Sequence, residues 1–158
     1  MAIDPKEFRT ALSRFASGVT VVTTKDAAGN LHGITVTAFC SVSLQPPLVL
    51  VCIEKTTGSH YALQESGVFA VNILNETQRD VSQHFASQFP NKFEGVDFQP
   101  GRMGVPVLES ALAVLECSLV NSHEGGDHTI FVGEVEHATV RDARALLYFN
   151  GNYRATPV

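Results

Sequence analysis

The chain predicts a mainly β fold, a closed or nearly closed antiparallel β-barrel with peripheral helices packed outside it. Three observations carry this. Six or more segments rich in β-branched and apolar residues run through the sequence. Helical patterns are few and do not alternate regularly with them, which disfavours a doubly wound parallel sheet. Residues 129–140 alternate apolar with polar, as a two-faced strand of an antiparallel sheet does. At 158 residues the chain reads as a single domain, 1–158, long enough to bury a good core.

Taken in order, Asp4-Pro5-Lys6-Glu7 is a helix start, with Asp as cap, Pro at the first position and Glu at the third. Phe8, Ala11, Leu12, Phe15 and Ala16 make an apolar stripe at helical spacing that Gly18 ends. Residues 19–24 form a β-branched strand, and Asp26-Ala27-Ala28-Gly29-Asn30 supplies hairpin turn chemistry. Pro46 and Pro47 end the next extended stretch, because proline cannot donate to a sheet ladder. Residues 48–53 are apolar at every position and predict a strand buried on both faces. A helical segment starts at His60, and residues 68–74 are again a strand. Thr77 caps a helix reaching about Phe89, with Val81, Phe85 and Phe89 on one face. Residues 90–106, rich in Gly, Pro and Asn, form a long loop of the kind that is usually functional or mobile. Residues 112–120 are a strand, 121–127 a turn, 145–149 a last short strand, and Gly151-Asn152-Tyr153-Arg154 follows.

The stretch from Ile34 to Leu44 stands apart. Even positions are Ile, Val, Ala, Cys, Val and Leu; odd positions are Thr, Thr, Phe, Ser and Ser. Period two puts an apolar row on one face and a hydroxyl row on the other. Water-facing strands carry Lys, Glu or Gln, and here the polar face has none. Short hydroxyls donate and accept, which suits a bound polar ligand, although Thr also serves for its β propensity alone. The run exceeds a usual strand, so a bend falls near Phe39.

Composition excludes several classes. A net charge of −5 with no basic run argues against nucleic acid or an anionic membrane as partner. The first residues lack the basic start and apolar run of a signal peptide, and no apolar segment is long enough to span a bilayer. Cys40, Cys52 and Cys117 read as buried small hydrophobes in a reducing cytoplasm, not as disulfides or metal ligands. No spacing of His, Cys, Asp or Glu suggests a metal, and no Gly-rich dinucleotide or P-loop motif occurs.

Two places carry candidate chemistry. The segment from Glu54 to Ser59 leaves a strand and enters a helix, where backbone N–H groups favour an anion and Lys55, Thr56, Thr57 and Ser59 add donors; a plain capped helix start has the same appearance. At Gly125-Gly126-Asp127-His128, a histidine sits between a glycine turn and a strand, with Asp127 placed to orient it; a polar hairpin turn reads the same way. His32, His60, His84, His123 and His137 read as surface or satisfied core residues. No activated nucleophile stands out, so an enzyme built on this chain takes its chemistry from a cofactor.

Ala16-Ser17-Gly18-Val19-Thr20-Val21-Val22-Thr23-Thr24, Gly33-Ile34-Thr35-Val36-Thr37-Ala38-Phe39 with Ser41 to Pro47, Phe69-Ala70-Val71-Asn72-Ile73-Leu74, Leu115-Glu116-Cys117, Gly126-Asp127-His128 and Gly133-Glu134-Val135 together resemble the short-chain flavin reductase family, in the family's order from about Phe8 to Tyr153. The resemblance implies an FMN-binding split barrel of antiparallel Greek-key type, a homodimer, and the reductase role in two-component flavin monooxygenases. It implies FMN or FAD as flavin, NADH or NADPH as co-substrate, and a flavin-dependent monooxygenase as partner. Thr35, Thr37 and Ser41, with backbone at Val36 and Ala38, would hold the isoalloxazine edge; where the family has a second hydroxyl this chain has Ala38, leaving a backbone contact there. Cys52, Ile53, Lys55, Thr56, Thr57 and Ser59 would take the ribityl chain and phosphate. Phe85 and Ala86 would close over the flavin. Asp127 and His128 would sit by the nicotinamide as the catalytic pair, with Tyr153 and Arg154 near the entrance. Hydride would pass from nicotinamide to flavin. Two other readings stay open: a flavoprotein that keeps its flavin and reduces iron, a corrinoid or a protein, and a non-enzymatic flavin- or haem-binding module.

Overall fold

The computed structural model describes residues 2–157. Its elements in chain order are α1 (Pro5–Leu12), β1 (Ser17–Gly18), β2 (Thr20–Lys25), β3 (Leu31–Val36), β4 (Phe39–Leu44), β5 (Pro47–Glu54), α2 (Gly58–Ser66), β6 (Val68–Ile73), α3 (Arg79–Ala86), β7 (Phe98–Pro100), β8 (Pro106–Leu108), β9 (Ala113–Gly125), β10 (His128–Val140), β11 (Leu146–Phe149) and β12 (Asn152–Ala155). Seven strands form one antiparallel sheet in the order β3-β2-β6-β9-β10-β5-β4. Its two edges, β3 and β4, are consecutive in sequence and separated by Thr37 and Ala38 alone. A two-residue link cannot span a flat seven-stranded sheet, so the sheet curls until its edges meet. The β4–β5 pairing carries on into the link, where the Ala38 carbonyl accepts from Cys52 N–H at 3.0 Å. This is the expected antiparallel barrel, and its strand order is not that of an up-and-down meander.

The interior of the barrel holds Val22, Val36, Val49, Val51, Ile53, Phe69, Val71, Cys117 and Phe131, capped by Leu63 of α2. A second apolar layer lies outside β2, β6 and β9, where Phe85 of α3, Phe93, Val105 and Leu108 pack on Val21, Ala70 and Val114. Asn72 is fully buried and ties the two together: its amide donates to the Val21 carbonyl and Thr23 hydroxyl, and its oxygen accepts from Leu108 N–H at 2.8 Å. The 26–30 turn forms as its sequence requires, with Gly29 at φ 87°.

Several expectations need correction. The first helix stops at Leu12, and none of its residues is buried; Phe15, beyond it, is 76% exposed. β5 alternates instead of being covered on both faces: Val49, Val51 and Ile53 face the barrel interior while Leu48, Leu50 and Cys52 stay half-covered. The apolar row of the central stretch breaks at Thr37 and Ala38, and on β4 it faces outward, leaving Leu44 84% exposed. Cys40 is consequently exposed, not buried. Thr77 does not cap α3: the helix starts after Gln78, which makes no side-chain cap bond, and the Thr77 hydroxyl donates instead to Asn75 Oδ1 at 2.7 Å. The expected turn over 121–127 shrinks to Gly126 and Asp127, since β9 runs on to Gly125. The 90–106 loop contains β7, which pairs with β8 at its far end, and buried Glu116 accepts the N–H groups of Arg102 and Met103 at 3.1 and 2.7 Å.

Candidate functional site

The link from β5 to α2 is built around Glu54. Its carbonyl accepts from Thr57 N–H and from the Thr57 hydroxyl at 2.9 Å, while its carboxylate accepts from the Thr56 hydroxyl at 2.8 Å. Thr57 caps α2 by accepting from His60 N–H. Among the described residues, the N–H groups of Thr56, Gly58 and Ser59 have no acceptor within the chain. A helix start leaves such donors open by geometry, and their partial positive charge suits an anion.

This cradle is one wall of a groove of about 500 Å³. A second wall is residues 31–34 of β3, and a third is Ala86 at the end of α3 with residues 87–90 and Lys92 after it. Ser59 is largely buried in the protein yet lines the groove. Thr56, Thr57, Ser59 and Ala86, four of the residues singled out from sequence, therefore share this space.

The hydroxyl row lies beside it. Thr35 donates to the Ser82 carbonyl of α3 at 2.6 Å, so its hydroxyl locks the helix to β3. Tyr153 joins the same cluster, its phenol 2.9 Å from Ser82 Oγ and its ring beneath the Arg79 guanidinium. Thr37, Ala38 and Ser41 are exposed around the β3–β4 junction, and Thr37 lines a smaller hollow of about 190 Å³ with Ser17 and Phe39. Val36 and Ile53 turn their side chains into the barrel, and Cys52 is half-buried.

Two residues sit differently from the sequence expectation. Phe85 does not close over the groove: its ring is fully buried against Phe93, in the space that a side chain at Gly33 would fill. Lys55 points away from the groove and pairs with Glu124, lining a separate hollow of about 310 Å³ with His60, Tyr61 and Thr129.

The β9–β10 hairpin delivers Asp127 and His128 to the same end of the barrel. His128 pairs in register with Glu54, and the Asp127 carbonyl accepts from Lys55 N–H at 3.0 Å. His128 Nδ1 lies 2.7 Å from Asp127 Oδ1, and that bond holds the Asp127 carboxyl below its ordinary range. With Nδ1 engaged, Nε2 is the ring nitrogen left for a ligand.

Two residues escaped the sequence reading. Lys92 is half-buried, its ammonium donating to the carbonyls of Gly33 and Phe85 at 3.2 and 2.9 Å. His60 is buried, with Nε2 2.8 Å from Thr129 Oγ1 and Nδ1 without a partner; burial lowers its pKa. A lone Lys in a polar loop and a lone His early in a helix carry no spacing signal.

An antiparallel barrel gathers open N–H donors, exposed hydroxyls and a carboxylate-oriented histidine at one end, an arrangement whose donors suit an anionic ligand. The chain belongs to the flavin reductase like domain family, whose model matches residues 12–157. It is 43% identical over 153 residues to the flavin-dependent monooxygenase reductase subunit HsaB of Rhodococcus jostii (strain RHA1), across 96% of this chain and 78% of that protein. It is 43% identical over 157 residues to an NADH-dependent flavin reductase of a Rhodococcus species, across 97% and 87% of the two. Its fold matches the NADH:FAD oxidoreductase SgcE6 of Streptomyces globisporus C-1027, solved with NAD and FAD fragments, with a TM-score of 0.92 at 38% identity over 99% and 97% of the two chains.

Proposed function

We propose that the chain is an NAD(P)H-dependent flavin reductase that binds FMN or FAD, takes hydride from the nicotinamide, and hands the reduced flavin to a flavin-dependent monooxygenase. The observation that carries this is the juxtaposition of open N–H groups at Thr56, Gly58 and Ser59 with the Asp127–His128 pair, at one end of the barrel. These residues fit a flavin phosphate, since the donors are unspent and the groove is large enough to admit more than an ion. When bound, the flavin supplies the ring that accepts and passes on hydride. Thr56, Thr57, Gly58 and Ser59 would fix the phosphate, and the exposed backbone and hydroxyls at Thr37, Ala38 and Ser41 would take the polar ring edge. Asp127 fixes the orientation of His128, which would hold the nicotinamide nucleotide in place. Phe85 and Thr35 act indirectly, by seating α3 on β3 so that Ala86 and the residues after it form the third wall. Positioning two rings together accounts for the rate without a covalent step on the chain.

The same reading includes a homodimer. α1 has 8 residues and buries none of them, and so short a helix gains little stability from propensity alone. Phe8 and Leu12 on α1, with Val42 and Leu44 on β4, are apolar surface that a second copy would cover. Sedimentation of the purified protein should give twice the chain mass; a monomer at micromolar concentration would rule the dimer out. Three free thiols support a reducing compartment, the cytoplasm, as part of this reading.

The direct test is to mix the protein with NADH or NADPH and to add FMN or FAD. Nicotinamide oxidation should begin only when flavin is added, and reduced flavin should pass through a filter that retains the protein. Absence of flavin-dependent oxidation with either nicotinamide would overturn the reading.

A further inference from the structure

We propose that Lys92, not Lys55, supplies the positive charge that pairs with the cofactor's phosphate; this rests on the flavin reading above. Lys55 is the residue nearest the cradle in sequence, but it pairs with Glu124 and lines a different hollow. Among the described residues, Lys92 is the one Lys or Arg lining the groove. Its ammonium carries three donors, and two of them meet the Gly33 and Phe85 carbonyls. Among the described residues no carboxylate lies within ion-pair distance of it. The acidic side chain on the groove, Glu54, is taken up by the Thr56 hydroxyl.

A half-buried cation without a counter-charge is costly to a folded chain, and burial accordingly lowers the Lys92 pKa. The fold nevertheless holds the ammonium in place through two carbonyls on different elements, β3 and α3. The cradle of open N–H groups forms the facing part of the same groove, and His32, fixed by Asp26 at 3.0 Å, flanks it beside Gly58. A phosphate in the groove would complete the third Lys92 donor, satisfy the N–H groups and neutralise the buried charge together. The ammonium thus explains how an acidic chain attracts an anionic cofactor.

Riboflavin has the flavin ring without the phosphate, so it separates ring contacts from phosphate contacts. Binding of riboflavin, FMN and FAD is measured by flavin fluorescence quenching for the parent, Lys92→Met, Lys92→Arg and Lys55→Met. Lys92→Met should weaken FMN and FAD roughly tenfold or more while leaving riboflavin within about twofold. Lys92→Arg should keep most of the FMN preference over riboflavin. Equal losses for riboflavin and FMN would make Lys92 a support of the fold only and overturn the proposal. A loss with Lys55→Met and none with Lys92→Met would also overturn it, by returning the charge to Lys55. Flavin-dependent nicotinamide oxidation by the parent tests the underlying reading separately, because it does not depend on which lysine meets the phosphate.

Discussion

Gly133→Ala should destabilise the barrel by about 2–3 kcal/mol, near the upper end of what overpacking a core costs. A Cβ at this position would lie 2.5 Å from Phe69 Cζ and 2.9 Å from Cys117 Cβ. Both neighbours are fully buried inside the barrel, and a Cβ cannot move without its backbone. Gly133 also follows an irregularity in the β9–β10 pairing, where Val120 has no partner on β10, so the local backbone is already committed. The urea midpoint should fall with an unchanged slope, and Phe69→Leu in the same chain should recover part of the loss. A midpoint equal to that of the parent would show that the interior yields where the packing says it cannot.

His128→Ala should raise the KM for the nicotinamide nucleotide tenfold or more and change flavin affinity less than twofold. The histidine stands on the hairpin tip with its Nδ1 taken by Asp127, while the flavin contacts proposed above lie on the β5–α2 link and the β3–β4 junction. Tenfold corresponds to about 1.4 kcal/mol, the scale of one good hydrogen bond to a charged ligand. Asp127→Asn should produce a smaller rise in the same constant, since the ring stays but its orientation loosens. An unchanged response to nicotinamide in His128→Ala would remove the pair from the site.

Much of the fold was legible because local chemistry and tertiary packing agree. The Asp26-to-Asn30 turn forms as its sequence predicts, the strand expected at 19–24 forms at 20–25, and the strand expected at 48–53 forms at 47–54 but alternates instead of being covered on both faces. The far end of β9, 121–125, is polar and exposed, because it pairs with β10 on one edge after its pairing with β6 has ended at Ser118, and no apolar alternation marks it in the sequence. Phe85 was read as a lid because an aromatic residue on a helix face looks alike whether it meets a ligand or a core. What decides is Gly33, 52 positions away by number, whose missing side chain makes room for the ring. The charge on the groove was assigned to Lys55 by proximity in sequence, while its pairing with Glu124 spans 69 positions and only the folded sheet brings them together. Period two in the 34–44 stretch was real, but it could not say that the chain crosses from one sheet edge to the other at Thr37 and Ala38, which turns the apolar row outward on β4.

Diffraction from crystals of the protein grown with FMN would test most directly the claim that the β5–α2 link and the β3–β4 junction together form the flavin site. The expected map shows the phosphate on the N–H groups of Thr56, Gly58 and Ser59 and the ring beside Thr37, Ala38 and Ser41. Flavin density elsewhere, with that groove holding only solvent, would contradict it.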